Sequence, residues 1–215
     1  QAVMERLIIA GMDIARINFS HGDFASHALT IASLRSAERS LGRRIAVMAD
    51  LPGPKMRVGE LAAEPIELLP GARYVLCTDD IMGDETRVSV SFKDLPHAVR
   101  QGDILFLNDG LIQLKVAEVT GGEVACEVVV GGELRSRKGL NLPGIDLGIS
   151  AFTERDHACL QFAAIHGIDA LCQSFVVTGD DINAVRTAAD DIGYHPFIIA
   201  KIERSGALTN LDEIL

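Results

Sequence analysis

The chain of 215 residues has no apolar run near the roughly 18 residues needed to cross a bilayer, and its first residues show no signal-peptide organisation. Both absences argue against a membrane role. Basic blocks are missing too: 20 Lys and Arg stand against 30 Asp and Glu, a formal net charge of −10. A general nucleic-acid or membrane-surface function needs many phosphates neutralised together, and this composition does not supply that. Any anionic ligand must be met locally by a few placed cations. Cysteine is sparse. Cys77, Cys126, Cys159 and Cys172 are scattered, with no C-x-x-C pair and no close His, so neither a zinc site nor a disulfide framework is signalled, and reduced thiols in a cytoplasm are expected. What the chain does have is apolar residues, 48% of the total, enough for a sizeable core and more than one domain.

Those residues follow a rhythm. Val3 with Leu7 and Met4 with Ile8 are i,i+4 pairs followed by Gly11, so residues 1–10 read as helix. Residues 14–19 read as strand, 25–41 as helix with Ala28, Ile31, Leu34 and Leu41 inward, and 45–49 as strand. Further on, Thr153-x-x-Asp156 is a capping-box pattern opening a helix that runs to 166. Strand 168–177, helix 180–192 with Ile182, Val185, Ala189 and Ile192 inward, strand 197–202 and a last helix from near Gly206 complete the series. Strand starts at 14 and 45 lie 31 residues apart, and those at 168 and 197 lie 29 apart, the spacing of βα units in a parallel sheet.

The gap from 45 to 168 is 123 residues, about 90 more than one unit takes. It carries turn signals at Asn108-Asp109-Gly110, Gly121-Gly122 and Gly131-Gly132 and an alternating run over 124–130, so it reads as an all-β insert. The expected organisation is a barrel portion over 1–57, an inserted β-barrel-like lid over 58–142 and the barrel continued over 143–215. The fold class is α/β, part of a TIM (β/α)8 barrel. Two connections, near Arg57-Val58 and Leu142-Pro143-Gly144, suit a hinge.

Chemistry is concentrated in Lys201-Ile202-Glu203, after the apolar Phe197-Ile198-Ile199-Ala200. Strand alternation keeps that apolar run buried and places the ammonium and the carboxylate on one face at the C-terminal end, where parallel barrels do their chemistry. Taken alone, the tripeptide reads also as a solvated ion pair.

Set together, five stretches resemble pyruvate kinase: Gly11 to Gly22 with Ala15-Arg16-Ile17-Asn18-Phe19-Ser20-His21, Asp50 through Gly53-Pro54 to Arg57, Asn108-Asp109-Gly110-Leu111-Ile112, Arg137-Lys138-Gly139-Leu140-Asn141-Leu142-Pro143-Gly144, and Ile198-Ile199-Ala200-Lys201-Ile202-Glu203. They run in family order. The resemblance implies phosphoryl transfer from phosphoenolpyruvate to ADP, giving pyruvate and ATP, with Mg2+ or Mn2+ as cofactor. Arg16 and Lys201 match the catalytic and substrate-binding cations, Ser174 the substrate floor, and Glu203 a divalent-metal ligand. Phe175 reads as packing. Asn18, Ser20, His21, Arg57 and Lys138 match nucleotide-contacting positions, and Asp109 a lid residue that approaches the site on closure.

Asn18, Ser20 and Asp50 match a monovalent-cation pocket, yet the family's Thr-Lys-Gly-Pro-Glu is here Leu51-Pro52-Gly53-Pro54-Lys55. Leu51 removes a hydroxyl and Lys55 adds a tethered ammonium, a pair that in the family goes with independence from K+. The family's first strand, its second acidic metal ligand, its proton-delivering hydroxyl and its allosteric C-terminal domain find no counterpart in the 215 residues. The resemblance therefore implies part of a longer cytoplasmic enzyme, a homotetramer when full length and inactive as this portion alone, with residues 197–202 left as an uncovered apolar edge. A phosphoenolpyruvate- or pyruvate-handling aldolase, or a non-catalytic phosphoenolpyruvate-binding regulator, are the alternatives.

Overall fold

A computed structural model describes residues 1–145 and 148–215; Asp146 and Leu147, within the stretch expected to resume the barrel, lie outside the described residues. In chain order the elements are α1 (Ala2–Ile9), β1 (Ile14–Asn18), α2 (Phe24–Leu41) and β2 (Ala46–Leu51), then β3 (Ile66–Leu68), β4 (Arg73–Cys77), β5 (Arg87–Ser89), α3 (Leu95–Ala98), β6 (Ile104–Leu107), β7 (Ile112–Thr120), β8 (Glu123–Val130), β9 (Gly132–Leu134) and β10 (Leu140–Asn141). Next come α4 (Glu154–Ile165), β11 (Ala170–Gln173), α5 (Gly179–Asp190), β12 (Phe197–Ala200), α6 (Ser205–Thr209) and α7 (Leu211–Ile214). They form two compact units, Gln1–Pro54 with Ser150–Leu215, and Lys55–Ile149.

The first unit is built on a parallel sheet in the order β1-β2-β11-β12, a half-barrel with helices on one side. Local signals start and stop the helices where packing needs them. Asp23 caps α2 by accepting from Ser26 N–H at 2.7 Å, and Gly42, at φ 63°, lets the chain leave the helix. Thr153 and Asp156 form the reciprocal box of α4, and the buried Asp156 also accepts from Gly53 N–H at 2.9 Å, so one cap secures the loop after β2.

Period-two alternation splits the sheet. Ile17, Val47, Ala49, Leu51 and Leu171 face the helices and pack with Ile8, Ile31, Leu34, Leu160 and Val185, each fully buried side chain contributing about 1.5–3 kcal/mol. Arg16, Asn18, Asp50, Cys172, Ser174 and Lys201 fall on the other side.

Several sequence expectations need correction. Strand 168–177 contracts to β11 because Phe175, at φ 62°, leaves extended geometry. Phe197, on the side of β12 away from the helices, is 71% exposed, so alternation does not bury the whole run, and the uncovered apolar edge expected over 197–202 is seen at this residue. Leu41 and Ile192 are exposed because they lie in the last turn of α2 and beyond the end of α5. In α1 the Met4/Ile8 pair packs inward and Val3/Leu7 faces out.

The lower strand ends are cross-tied through Asp169. Its carboxylate accepts from Val47 N–H at 2.8 Å and from Arg44 at 2.8 Å. Arg35 spans Glu38, the Ile45 carbonyl and the Gly167 carbonyl at 2.8–3.0 Å.

The second unit has its own core, with Leu76, Leu105, Leu107, Leu114, Val124 and Leu134 buried. A six-stranded sheet in the order β10-β6-β7-β8-β4-β5 accompanies the β3-β9 pair. Asn108–Gly110 is a 3-10 turn joining β6 to β7, and Gly121-Gly122 turns β7 into β8. Gly131-Gly132 is no hairpin turn: it passes β8 on to β9, and a Cβ on Gly131 would meet the Leu68 carbonyl at 2.1 Å.

Candidate active site

Strand register brings the charged residues together. Asn18 pairs with Asp50, Asp50 with Cys172, and Cys172 with Ile199, a single row near the C-terminal ends of the four strands. Arg16 lies one alternation below that row on β1, while Ser174 and Lys201 lie one above it, just past β11 and β12. The same face therefore collects two cations and a carboxylate from three strands.

Their contacts are short. Arg16 Nε donates to both Asp50 oxygens at 3.1 Å, and its Nη2 donates to Asp50 Oδ2. Lys201 Nζ lies 3.6 Å from Asp50 Oδ2 and 2.8 Å from Glu203 Oε1, and donates to Ser174 Oγ at 3.0 Å. Glu203 Oε2 accepts from the Phe175 N–H at 3.2 Å. Only 5% of the Asp50 side chain is exposed, against 56% for Arg16 and 25% for Lys201, so an arriving anion meets the cations and not the carboxylate between them. Burial pushes the Asp50 carboxyl up, but the Arg16 hydrogen bond and the charges of Lys201 and Arg16 outweigh it and hold the group below the usual carboxylate range. Burial first, and then the neighbouring Asp50 carboxylate, push the Cys172 thiol up to about 11.

The remaining sequence candidates fall into three groups. Asn18 Oδ1 accepts from Ser20 N–H at 2.9 Å, closing the turn that ends β1, with His21 exposed beyond it. Leu51 is fully buried against the helices, on the opposite side from Asn18 and Asp50, so its side chain does not join a pocket there; alternation, overlooked in the motif comparison, is the reason. Lys55, Arg57, Lys138 and Asp109 belong to the second unit. There Arg57 bridges to Gly139 and donates to the Arg137 carbonyl at 2.8 Å, the Lys138 carbonyl accepts from Val58 N–H at 2.9 Å, and Asp109 Oδ1 lies 3.9 Å from where a Gly139 Cβ would be. Arg57, Lys138 and Asp109 thus gather around Gly139, while Lys55 is exposed.

Among the described residues no group of three or more His, Cys, Asp or Glu side chains converges on a metal position. Glu203 offers a hard oxygen set, and Mg2+ is commonly held by one or two carboxylates together with water and substrate phosphate, so the donor chemistry fits a shared ion and not a resident cage. Sequence reasoning missed Cys172 and the Phe175 N–H. Cys172 stands two residues before Ser174 and shares its face, a signal that alternation carries; a backbone donor leaves no such trace.

The model of the pyruvate kinase barrel domain matches residues 1–215. A pyruvate kinase of Thermococcus litoralis is 48% identical over 212 residues, 99% of this chain and 45% of that protein. Pyruvate kinase II of Salmonella typhimurium is 40% identical over 217 residues, and a pyruvate kinase of Corynebacterium glutamicum 38% over 210. The chain spans about 45% of the length of these relatives. Matched from end to end by the family's barrel and carrying the Arg16–Asp50–Lys201–Glu203 cluster at its strand ends, the chain belongs to the pyruvate kinase family.

Proposed function

We propose that the protein to which this chain belongs transfers the phosphoryl group of phosphoenolpyruvate to ADP, giving pyruvate and ATP. The observation that carries this reading is the pair of cations, Arg16 and Lys201, held 3.6 Å or less from a buried Asp50 at the C-terminal strand ends. Phosphoryl transfer asks for alignment and charge compensation more than for a protein nucleophile, and two fixed cations over a screened carboxylate supply both. Arg16, the more exposed, offers a planar fork to the substrate phosphate. Lys201, anchored by Ser174 and Glu203, faces the charge that develops on the phosphoryl group and the enolate. Mg2+ or Mn2+ held through Glu203 would supply further charge compensation to the phosphate oxygens.

The finer assignments belong to the same proposal. Asn18, Ser20, His21, Arg57 and Lys138 contact the nucleotide, and the β unit acts as a hinged lid that brings Asp109 in on closure. Its single insertion between Pro54 and Ser150 supports that role. Lys55 takes the place of a bound K+. The full-length enzyme works in the cytoplasm as a homotetramer. Replacing Arg16 by Ala in the full-length protein tests the substrate assignment. Phosphoenolpyruvate affinity should fall at least tenfold in a direct binding measurement, and unchanged affinity would remove Arg16 from the site.

A further inference from the structure

Phe175 occupies φ 62°, a left-handed backbone that a bulky side chain rarely enters. Its N–H donates to Glu203 Oε2 at 3.2 Å, while Lys201 Nζ takes Oε1 at 2.8 Å, so the carboxylate is gripped at both oxygens. The other end of the same peptide is fixed as well: Gln173, fully buried, donates from Nε2 to the Ser174 carbonyl at 3.0 Å and to the Ala151 carbonyl at 2.7 Å. Because a peptide is planar, holding its carbonyl sets the direction of its N–H. The ring is braced from below. A Cβ on Gly53 would come within 2.9 Å of Phe175 Cδ2, so the bare face of that glycine seats the ring, and Gly53 is itself tied to buried Asp156 through its N–H at 2.9 Å.

We propose that the Ser174–Phe175 peptide is the positioning element for Glu203, and that Gln173, the Phe175 ring and Gly53 serve to aim it. This rests on the reading of Glu203 as a divalent-metal ligand. Partners that orient a metal's own ligands are worth about 10–100-fold in affinity when removed. An aimed N–H fixes the rotamer of Glu203, so the lone pairs left open point at one place and the ion need not pay for ordering them.

The test uses Mn2+ binding to the full-length protein, followed by electron paramagnetic resonance with phosphoenolpyruvate present and nucleotide absent, so that the substrate phosphate completes the shared site without turnover. Three variants are compared: Phe175 replaced by phenyllactic acid, which swaps the N–H for an ester oxygen and keeps the ring; Gln173→Met, which frees the carbonyl at similar volume; and Glu203→Gln. The ester and Gln173→Met should each weaken Mn2+ binding about tenfold, with Glu203→Gln losing at least as much and near-ultraviolet circular dichroism unchanged in all three. Wild-type affinity in the ester variant alongside loss in Glu203→Gln would overturn the positioning role while leaving the metal reading intact. Unchanged affinity in Glu203→Gln would remove the metal reading, and with it the purpose assigned to the peptide. A weakening that only tracks lost circular dichroism signal would reduce Phe175 to ordinary packing and also overturn the proposal.

Discussion

Replacing Gly53 by Ala probes the loop after β2 at its tightest point. Gly53 is buried at φ 63°, and the added Cβ would lie 2.9 Å from Phe175 Cδ2, 3.3 Å from the Ser174 carbonyl and 3.4 Å from the Ala151 carbonyl. Two of these neighbours are backbone, fixed by Gln173, and the third is a ring on a left-handed residue, so relaxation is limited. The left-handed backbone costs an alanine roughly 1–2 kcal/mol. Overpacking adds about 1–3 kcal/mol, giving a loss on the order of 2–5 kcal/mol. Gly42→Ala is the internal control: its φ is 63° as well, but nothing lies within 4 Å of its Cβ, so it should show the backbone cost alone. Urea titration of both variants in the full-length protein measures the difference. If Gly53→Ala were no more destabilising than Gly42→Ala, the packing of Phe175 on Gly53 would be refuted.

Three further outcomes follow from individual groups. Cys172, with its thiol at about 11 and nearly no exposure, should resist iodoacetamide at pH 7.5 until the protein is unfolded; rapid labelling of the native protein would contradict its burial against Asp50. Asp169 is held below its ordinary range even though burial, the largest influence, pushes it up, because Val47 N–H, Arg44 and Arg35 together prevail. A lowered folded value means stability present above the unfolded carboxylate value near ~4 and lost as pH falls through the folded one, so Asp169→Asn should flatten the acid limb of a melting-temperature profile and leave a smaller pH dependence below about pH 4. The proposed replacement of K+ by Lys55 requires that turnover of the full-length protein in tetramethylammonium buffer change little on adding KCl and fall in Lys55→Glu; strong activation of the wild type by K+ would remove that role from Lys55.

Much of the half-barrel was legible because its signals are local and repeated. The expected unit of about 30 residues persists in strand starts at 14 and 46 and at 170 and 197, and the Thr153-x-x-Asp156 box and Gly42 each state a helix boundary that the fold keeps. The candidate site was legible through motif order, and period two then explains why Arg16, Asp50 and Lys201 meet. Three features were not legible, each for a physical reason. Phe175 reads as a β-former, and its left-handed turn lies against Gly53 and beside the Ser174 carbonyl that Gln173 holds, tertiary contacts that no local propensity records. The outward turn of Val3 and Leu7 was hidden too, because both i,i+4 pairs of α1 look alike and only packing against the half-barrel core selects Met4 and Ile8. Leu51 was read as a lost ligand from the motif, when its alternation phase sends the side chain to the helix side.

The central claim is tested most directly by following phosphorus from phosphoenolpyruvate to ADP with nuclear magnetic resonance in the full-length protein and its Lys201→Met variant, with Mg2+ present. The wild type should give ATP and pyruvate in equal amounts, and the variant a rate at least ~100-fold lower, a loss of about 2.7 kcal/mol in transition-state stabilisation, with phosphoenolpyruvate still bound. No ATP from the wild type would contradict the proposed transfer, and turnover in Lys201→Met within about tenfold of it would contradict the role of Lys201.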